Sequence, residues 1–410
     1  MKFYVHHNYS YELFWYFFHG AEIKENLPTW FWENRYNKNI KIVDEVEIKC
    51  RYKGNNIDII FSKEKNWDKD DGFHMLDYSI KLIEEGYMND RGWNGDIGHS
   101  RLPETIDFLL KHKSKKILFF YINWEPCMET EQKQLSRLNN NTLFFVDDNS
   151  VKYSKNQKFS HSHILSSYIF PDTIGLRNFY FFGNYLKYKN DFKYRLNFPV
   201  RRIHVYKTDI VERLKELKNK YISVSLSSFT DYGQHETNIE KTKYKLNSWL
   251  KKYMDVYIEK RGYNINDFGG EWNWNNMNEF LWKMFGIADI NLIYETWQRT
   301  HINEKSISHI LAGKPFIPCR YNTIQYYEDM CRKYGLEYEE YPLEYYNYIF
   351  DIIDTLDEII KNDEKYEVFL SKLKRYVLKM RENYIEIIHN NNDVLDLLIN
   401  KNDNKSTSLI

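Results

Sequence analysis

Residues 291–318 read NLIYETWQRTHINEKSISHILAGKPFIP, and this run contains the patterns of two strands and a helix. Asn291–Tyr294 is apolar enough for a buried strand, and Lys305–Leu311 carries its apolar residues on one helical face. Gly313 ends the helix before a second short strand at Phe316–Ile317. A strand, a helix and a second strand in this order predict a βαβ unit with parallel strands.

Polar residues follow the first of these strands and open the helix. Glu295 ends the strand, Arg299 lies in the loop, and Asn303 can cap a helix whose first turn holds Glu304 and Lys305. The carboxyl end of a parallel strand and the N-terminus of the next helix are where α/β sheets bind nucleotides and phosphates. Glu304 can accept hydrogen bonds from two ribose hydroxyls, and Lys305 can neutralise a diphosphate. The alternative is a surface helix whose charges are only solvated.

The alternation of strands and helices extends outward from this unit along the chain. Lys116–Ile122 and Thr142–Val146 are solid apolar runs, typical of strands buried on both faces. Further strands are predicted at Lys2–His6, Ile40–Val46, Ile57–Phe61, Arg202–Tyr206 and Tyr221–Leu226, and helices at Tyr9–Phe18, Met75–Glu85, Pro103–Leu110, Ile210–Leu217 and Met277–Phe285. The strand of the quoted stretch extends back to Asp289, as Asp289–Tyr294. The pattern predicts an α/β chain with mainly parallel sheets.

The chain of 410 residues is long enough for two or three domains. Its periodicity lapses at Tyr185–Pro199, which predicts a linker. We therefore predict two Rossmann-like domains with a cleft between them, at 1–190 and 199–352. Residues 353–400 form a helical segment in which Glu367–Ile388 is amphipathic and packs on the body.

Composition excludes several classes of protein. Lysine plus arginine and aspartate plus glutamate each number 58, so the net charge is zero and only a local basic groove would attract nucleic acid. Four scattered cysteines predict neither a zinc cluster nor a disulfide framework. No apolar run approaches the roughly 18 residues of a membrane helix, and the N-terminal residues lack a signal-peptide pattern. We expect a cytoplasmic protein without a membrane segment.

Three motifs in the quoted stretch resemble those of the fucosyltransferase-like inverting glycosyltransferases, in the same order and at close spacing, with the proline of the last motif one residue early. Glu295-Thr296-Trp297 stands at the Glu-Asn-Ser-type motif, Asn303-Glu304-Lys305 at the Thr-Glu-Lys that opens a helix, and Ala312-Gly313-Lys314-Pro315 at the Ala-Gly-x-x-Pro turn. Similar segments occur in glycosyltransferases of bacteriophages and large viruses, including ones thought to glycosylate modified bases in viral DNA. The resemblance covers about 30 residues clearly. The remainder agrees in layout with two Rossmann-like domains of the GT-B type.

The resemblance implies a nucleotide-diphosphate sugar, such as a UDP- or GDP-sugar, as co-substrate in the C-terminal domain, with no other cofactor. Glu304 would hold the ribose, Lys305 the diphosphate and Glu295 the sugar hydroxyls. Trp297 and Asn303 replace a small residue and a threonine of the family pattern, so the sugar need not be fucose.

A second phosphate ligand is expected near the start of the C-terminal domain. Arg202 and Lys207, with Arg201, are the candidates, because Lys207 precedes the predicted helix Ile210–Leu217 and its charge would lie near the positive end of that helix. These charges can equally well solvate a linker, and the sequence does not separate the two interpretations.

An inverting transfer needs a base that removes the proton of the acceptor hydroxyl. Glu125 follows the strand Lys116–Ile122, and the adjacent Trp124 can desolvate its carboxylate and raise its pKa. Asp96 and His99, in the Gly-rich loop DRGWNGDIGHS, are the competing candidates. Each of the three can instead be an ordinary capping or loop residue.

The acidic run Asp68-Lys69-Asp70-Asp71 matches a loose DxD pattern that can hold Mn²⁺ or Mg²⁺. It lies far along the chain from the donor motif, and charge runs are usually solvated. We therefore predict no metal site. The transfer would be metal-independent, with fixed positive groups acting on the leaving diphosphate.

Two classes of acceptor are possible for the transferred sugar. A hydroxymethylated pyrimidine in DNA would need a basic groove lined with aromatic residues, and base flipping. The segments Lys111–Lys116 (KHKSKK) and Lys152–Lys158 supply positive charge, and Trp93 could stack on an extruded base. A surface or capsid glycan is the alternative acceptor, and a non-catalytic viral interaction module is the alternative class of protein. The sequence identifies neither the sugar, the nucleotide base nor the oligomeric state.

Overall fold

A computed structural model describes residues 1–5, 18, 20–23, 46–61, 67–77, 102–121, 129–138, 141–146, 157–159, 194–200, 205–232, 256–261, 286–294 and 304–403. The chain divides into two compact units. The first unit comprises residues 1–172 and 384–410, and the second comprises residues 173–383. Each unit is organised around its own sheet.

The first unit contains an eight-stranded sheet in the order β2-β3-β4-β1-β5-β6-β7-β8. The strands are β1 Lys2–Val5, β2 Glu22–Ile23, β3 Val46–Tyr52, β4 Asn55–Phe61, β5 Phe73–Asp77, β6 Ile117–Tyr121, β7 Thr142–Val146 and β8 Gln157–Phe159. The pairs from β4 through β8 are parallel, whereas β2, β3 and β4 are antiparallel neighbours. The sheet is therefore a parallel α/β sheet extended at one edge by a hairpin.

Two helices of the described residues, α1 Leu102–Lys111 and α2 Glu129–Leu135, cover the first sheet. In α1 the spacing of Leu102, Ile106 and Leu109 puts all three on one face, and all three are buried. They join a core cluster with Phe119 of β6 and Leu135 of α2. This packing explains why the predicted helix from Pro103 and the predicted strand Lys116–Ile122 both form.

The predicted helix Met75–Glu85 is wrong at its start, because Met75 and Leu76 belong to β5. This strand pairs in parallel with β1 on one side and β6 on the other. All four residues of Phe73–Leu76 are buried, because both faces of the strand are covered. The segment therefore lacks the alternation of apolar and polar residues by which a strand is recognised. Pairing with β1 and β6 therefore outweighed the helical spacing of the apolar residues in this segment.

His74 makes the first unit sensitive to acid. Its ring is fully buried in β5, stacks on Trp67 at 4.9 Å and places Nε2 3.0 Å from the Lys69 carbonyl oxygen. Burial lowers the pKa of His74 below 6.5. An unfolded histidine therefore binds a proton that the folded chain does not, and the free energy of unfolding should fall as pH drops below about 6.5.

We expect urea midpoints to fall between about pH 7.5 and about pH 5, and to fall less in His74→Phe. Circular dichroism at both pH values measures this difference. An equal loss in both proteins would assign the acid sensitivity to other groups.

The second unit contains a five-stranded parallel sheet in the order β11-β10-β9-β12-β13. Its strands are β9 Tyr194–Val200, β10 Val224–Tyr232, β11 Val256–Arg261, β12 Ala288–Ile293 and β13 Phe316–Pro318. Its helices are α3 Val205–Lys220, α4 Glu304–Ala312, α5 Asn322–Tyr334, α6 Ile353–Ile360 and the long α7 Asp363–Asn390. The prediction of an α/β chain with mainly parallel sheets is confirmed.

The predicted linker Tyr185–Pro199 is wrong at its end, because β9 begins at Tyr194 and lies at the centre of the sheet. Leu196 and Phe198 alternate with Arg195 and Asn197, and the two polar residues weakened the strand pattern. The predicted strand Arg202–Tyr206 is also wrong at its end, since α3 begins at Val205.

Helix α7 crosses the division between the units, which falls after Asn383. A last helix, α8 Asp393–Asp403, belongs to the first unit. There the hydroxyl of Tyr52 accepts a hydrogen bond from the backbone N–H of Asn392 (2.7 Å), and Lys53 forms an ion pair with Asp396 (2.8 Å). The C-terminal residues therefore hold the β3–β4 hairpin. Among the described residues, no helix has both the length and the apolarity of a membrane span.

Candidate functional site

The strand order of the second unit defines a switch point between β9 and β12. The chain passes from β9 to β10 and β11 on one side, and through β12 to β13 on the other. In open parallel sheets, ligands bind at such a point, beyond the carboxyl ends of the strands. Helix α4 follows β12 and begins at Glu304, so its first turn lies at this carboxyl edge.

The other end of α4 confirms this direction. After the helix, Gly313 adopts a left-handed φ of 62°, and the N–H of Lys314 donates to the carbonyl of His309 (2.8 Å). Lys314 then donates its Nζ hydrogen to the carbonyl of Ala288, the first residue of β12. Helix α4 therefore ends at the amino edge of the sheet. The turn Ala312-Gly313-Lys314-Pro315 is a helix stop, at the opposite edge from the first turn.

A chain of buried polar side chains fixes α4 on the sheet. Asn197 of β9 and Asn291 of β12 are register partners, and the Asn197 Nδ2 donates to the Asn291 Oδ1 at 3.1 Å. The Asn291 Nδ2 lies 3.2 Å from Nε2 of His309, a residue of α4. All three side chains are at most 1% exposed. Because such bonds are directional and costly to break when buried, they set the position of the helix on the two central strands.

Lys314 is an unusual residue at the amino edge. It is only 2% exposed, and burial lowers its pKa to about 7 although the nearby Asp289 carboxylate acts in the opposite direction. A lysine in this position is part of the packing beneath α4. The motif that suggested a donor site therefore contains one lysine at each edge of the sheet, and Lys305, in the first turn of α4, is the one at the carboxyl edge.

The same unit offers an internal comparison for the first turn of α4. Helix α7 also carries a Glu-Lys pair in its first turn, Glu364-Lys365, directly after its first residue Asp363. Arg195, near the start of β9, donates to the Ile360 carbonyl (2.8 Å) and forms an ion pair with Asp363. The first turn of α7 therefore lies at the amino edge of the sheet. Identical dipeptides thus lie in the first turns of helices at opposite edges.

The predicted donor-binding residues fall on the two connections that leave the switch point. Glu304 and Lys305 are the first two residues of α4, and Lys207 is the third residue of α3 and not a residue before the helix. Arg202, Glu295, Arg299 and Asn303 lie outside the described residues, in the connections that follow β9 and β12. The topology brings the helix starts of α3 and α4 to the same sheet edge.

The predicted catalytic residues Glu125, Asp96 and His99 also lie outside the described residues. Along the chain, Glu125 belongs to the connection between β6 and α2. That connection leaves the carboxyl end of a central parallel strand. Asp96 and His99 precede α1. Their roles stay predictions.

The acidic run in the first unit is engaged by cations of the chain itself. Asp70 forms an ion pair with Lys115 (2.7 Å). Asp71 forms one with Lys2 (2.7 Å) and accepts a hydrogen bond from the Tyr4 hydroxyl (2.5 Å). These contacts hold the pKa of the Asp71 carboxyl down, at about 2. The run thus ties the start of β1 and the segment before β6 together.

The basic segment Lys111–Lys116 lies at the amino edge of the first sheet. It connects the end of α1 to the start of β6, and the Lys116 carbonyl accepts a hydrogen bond from the His74 N–H (2.9 Å). Its Lys115 is paired with Asp70. In parallel sheets, ligands bind at the carboxyl edge, so this segment lies opposite the edge where an acceptor is expected.

The comparisons with known proteins give only distant structural likenesses. No family model matches the chain, and no curated protein matches it. Among solved structures, HepE of Anabaena with UDP-glucose aligns at TM-score 0.37 and 10% identity, over 77% of this chain and 91% of its own. The C-terminal domain of the group 1 glycosyl transferase LpcC of Francisella tularensis aligns at TM-score 0.30 and 11% identity, over 47% and 85%.

A UDP-GlcNAc 2-epimerase of Neisseria meningitidis aligns as well, at TM-score 0.36 and 11% identity, over 95% of this chain and 99% of its own. Because these TM-scores are all below 0.5, the likenesses do not identify the reaction of this chain. The function has to be inferred from its own residues.

Sequence reasoning missed the polar chain beneath α4. Its one sequence signal is Asn291 within an otherwise apolar strand, together with Asn197 in a stretch interpreted as a linker. A polar residue in a central strand is buried and needs a partner. Asn197 and Asn291 are partners because β9 and β12 are neighbours in the sheet, although β10 and β11 separate them along the chain.

Proposed function

We propose that this chain is a glycosyltransferase of the GT-B type, which moves a sugar from a nucleotide-diphosphate sugar to an acceptor hydroxyl. The observation that carries the proposal is the first turn of α4, with Glu304 and Lys305, at the carboxyl edge of the sheet beside the switch point. The order of the three motifs around it supports the same function. The donor is a UDP- or GDP-sugar.

The proposed chemistry needs positive charge where the diphosphate leaves. Lys305, a residue of the first turn of α4, supplies an ammonium at the end of the helix whose dipole is positive, and the adjacent Glu304 can accept hydrogen bonds from ribose hydroxyls. Lys207 in the first turn of α3 and Arg202 before it add charge at the same edge. Glu295 binds the sugar hydroxyls, and Arg299 and Asn303 complete the connection that leads to α4. Stabilising the leaving group with these cations is consistent with a metal-independent transfer.

In the proposed inverting reaction, Glu125 removes the proton of the acceptor hydroxyl, with Asp96 or His99 as the alternative base. Hydroxymethylated pyrimidines in DNA and surface glycans are the two acceptor classes to compare. The position of Lys111–Lys116 at the amino edge of the first sheet favours a glycan, because this basic segment would not line a DNA groove at the carboxyl edge.

A thermal-shift screen against UDP, GDP, CMP and dTDP tests the donor site. We expect UDP or GDP to raise the melting temperature, since a ligand that binds the folded state alone stabilises by about 2.7 kcal/mol at a hundred times its dissociation constant. Lys305→Ala should weaken this nucleotide by about 10- to 100-fold, because it removes a charge-assisted contact. Lys365→Ala is the matched control, since its lysine lies in the first turn of α7 at the opposite edge, and it should bind like the natural chain.

Equal weakening by the two lysine variants would contradict a site at the first turn of α4. No stabilisation by any nucleotide would instead favour a non-catalytic interaction module. If a nucleotide binds, its sugar conjugates are then offered with hydroxymethylated DNA and with glycans, and transfer is followed by mass spectrometry.

A further inference from the structure

A cluster of tyrosines and one arginine covers the carboxyl end of β13, next to the proposed donor site. The N–H of Cys319 donates to the carbonyl of Ile293 (2.8 Å), so β12 and β13 end at the same level. Arg320 follows directly. It therefore leaves the sheet at the edge where β12 leads to the proposed donor residues, one strand away from the switch point.

The guanidinium of Arg320 lies over a ring. Its Cζ is 4.1 Å from the ring centroid of Tyr348, and both side chains are partly exposed. At this distance the attraction between the guanidinium and the ring is favourable, and it holds the guanidinium in a defined orientation. Arginine planes and tyrosine rings are the side chains on which nucleic-acid bases stack.

Buried contacts hold these exposed rings in place. Tyr346 is 2% exposed, donates its hydroxyl to the Pro318 carbonyl (2.5 Å) and packs edge-on against Tyr321 at 5.5 Å. The carboxylate of Asp351 accepts hydrogen bonds from the backbone N–H groups of Asn347 (2.9 Å) and Tyr348 (3.0 Å). The segment that carries the exposed rings is thus anchored at the strand end. Anchoring lowers the entropy cost of binding a flat ligand.

Tyr345 extends the surface toward solvent. It is 56% exposed, although its neighbour Tyr346 is buried, and its ring lies 5.3 Å from that of Tyr321. A large aromatic side chain that is exposed and held on another ring is typical of a recognition surface. The cluster therefore offers a positive charge and several ring faces at the ligand-binding edge.

We propose that Arg320 on Tyr348, together with Tyr321 and Tyr345, forms the surface on which the planar base of the donor nucleotide stacks. The inference rests on the proposed function, and it adds that the second unit recognises the base of the nucleotide as well as its diphosphate. The positive charge of Arg320 suits an anionic nucleotide better than a neutral sugar. Lys305 and Arg320 then contact different parts of the ligand: the lysine binds the phosphates, and the plane of the arginine stacks on the base.

Titration calorimetry of the full chain with UDP, GDP and inorganic pyrophosphate tests this division. Arg320→Lys keeps the charge and removes the plane, so it should weaken the bound nucleotide about tenfold and leave pyrophosphate almost unchanged. Tyr345→Ser, at an exposed position, should also weaken the nucleotide selectively. Arg332→Lys is the matched control, because Arg332 lies over Tyr338 at 5.9 Å at the far end of α5, and it should bind normally.

The outcomes separate this inference from the proposed function. If Lys305→Ala weakens the nucleotide but Arg320→Lys and Tyr345→Ser do not, the stacking surface is overturned and the donor site stands. If Arg320→Lys weakens pyrophosphate as much as the nucleotide, Arg320 is a phosphate ligand and the stacking inference is wrong. If the natural chain binds no nucleotide, both proposals fail together. Melting curves of each variant verify that the chain is folded.

Discussion

Replacing Lys314 with methionine should stabilise the second unit by about 2–4 kcal/mol at neutral pH, an effect opposite in sign to most core substitutions. The side chain is 2% exposed at the amino edge of the sheet, where its Nζ donates to the Ala288 carbonyl. This bond and the Asp289 carboxylate favour the ammonium form, but burial outweighs them and lowers the pKa to about 7. Methionine fills a similar volume and has no charge to desolvate.

The lowered pKa of Lys314 also predicts how the free energy of unfolding of the second unit depends on pH. Between about 7 and 10.5 the unfolded chain carries a proton on Lys314 that the folded chain has lost. The free energy of unfolding should therefore rise with pH in this window, by about 1.4 kcal/mol per pH unit, and be lowest below about pH 7. Buried tyrosines such as Tyr346 and Tyr376, whose pKa is raised by burial, act in the opposite direction above about pH 10. Chemical denaturation between about pH 7 and 9.5 is the informative range.

Two further variants make the measurement decisive. Lys314→Arg should be strongly destabilising throughout this range, because a guanidinium cannot release its proton. Lys372→Met, at an exposed position of α7, is the control and should keep the pH dependence of the natural chain. If Lys314→Met is less stable than the natural chain and keeps its pH slope, the ammonium is a net stabilising group and the argument from burial is wrong.

The parts of the fold that the sequence predicted well are those whose pattern is local. The helix predicted at Lys305–Leu311 forms as Glu304–Ala312, and the strand predicted at Phe316–Ile317 forms as Phe316–Pro318. An amphipathic face and a glycine stop define both boundaries without help from the remainder of the chain. The position of this helix beside the switch point, by contrast, depends on the pairing of β12 with β9, which no local pattern reveals.

The parts of the fold that the sequence did not predict depend on contacts between residues far apart along the chain. Strand β9 contains Arg195 and Asn197, whose partners Asp363 and Asn291 lie 168 and 94 residues away. No local pattern reveals that these polar groups are satisfied within the fold, so the strand was interpreted as a linker. The stacking of Arg320 on Tyr348 is hidden for the same reason, since it requires the chain after α5 to return to the end of β13.

Substituting Asn291 with alanine should cost the second unit about 2–4 kcal/mol of unfolding free energy. The change removes the hydrogen bonds to Asn197 (3.1 Å) and His309 (3.2 Å) and leaves both partners buried. Because His309 belongs to α4, the loss should also release the helix whose first turn forms the proposed donor site. Nucleotide affinity should therefore fall several-fold, even though Asn291 itself lies in the sheet interior.

Asn383→Ala is the matched control for this second effect. Asn383 is equally buried in the same unit, and its Nδ2 donates to the Tyr327 hydroxyl (2.9 Å) and the Glu337 carbonyl (2.8 Å). Its loss should lower stability by a similar amount but leave nucleotide affinity unchanged at a temperature where both variants are folded. A double-mutant cycle of Asn291→Ala with Asn197→Ala should give a coupling of about 0.5–3 kcal/mol, since the two side chains share one bond. Additive losses, or equal effects of the two asparagine variants on nucleotide binding, would mean that the polar chain stabilises the sheet without positioning α4.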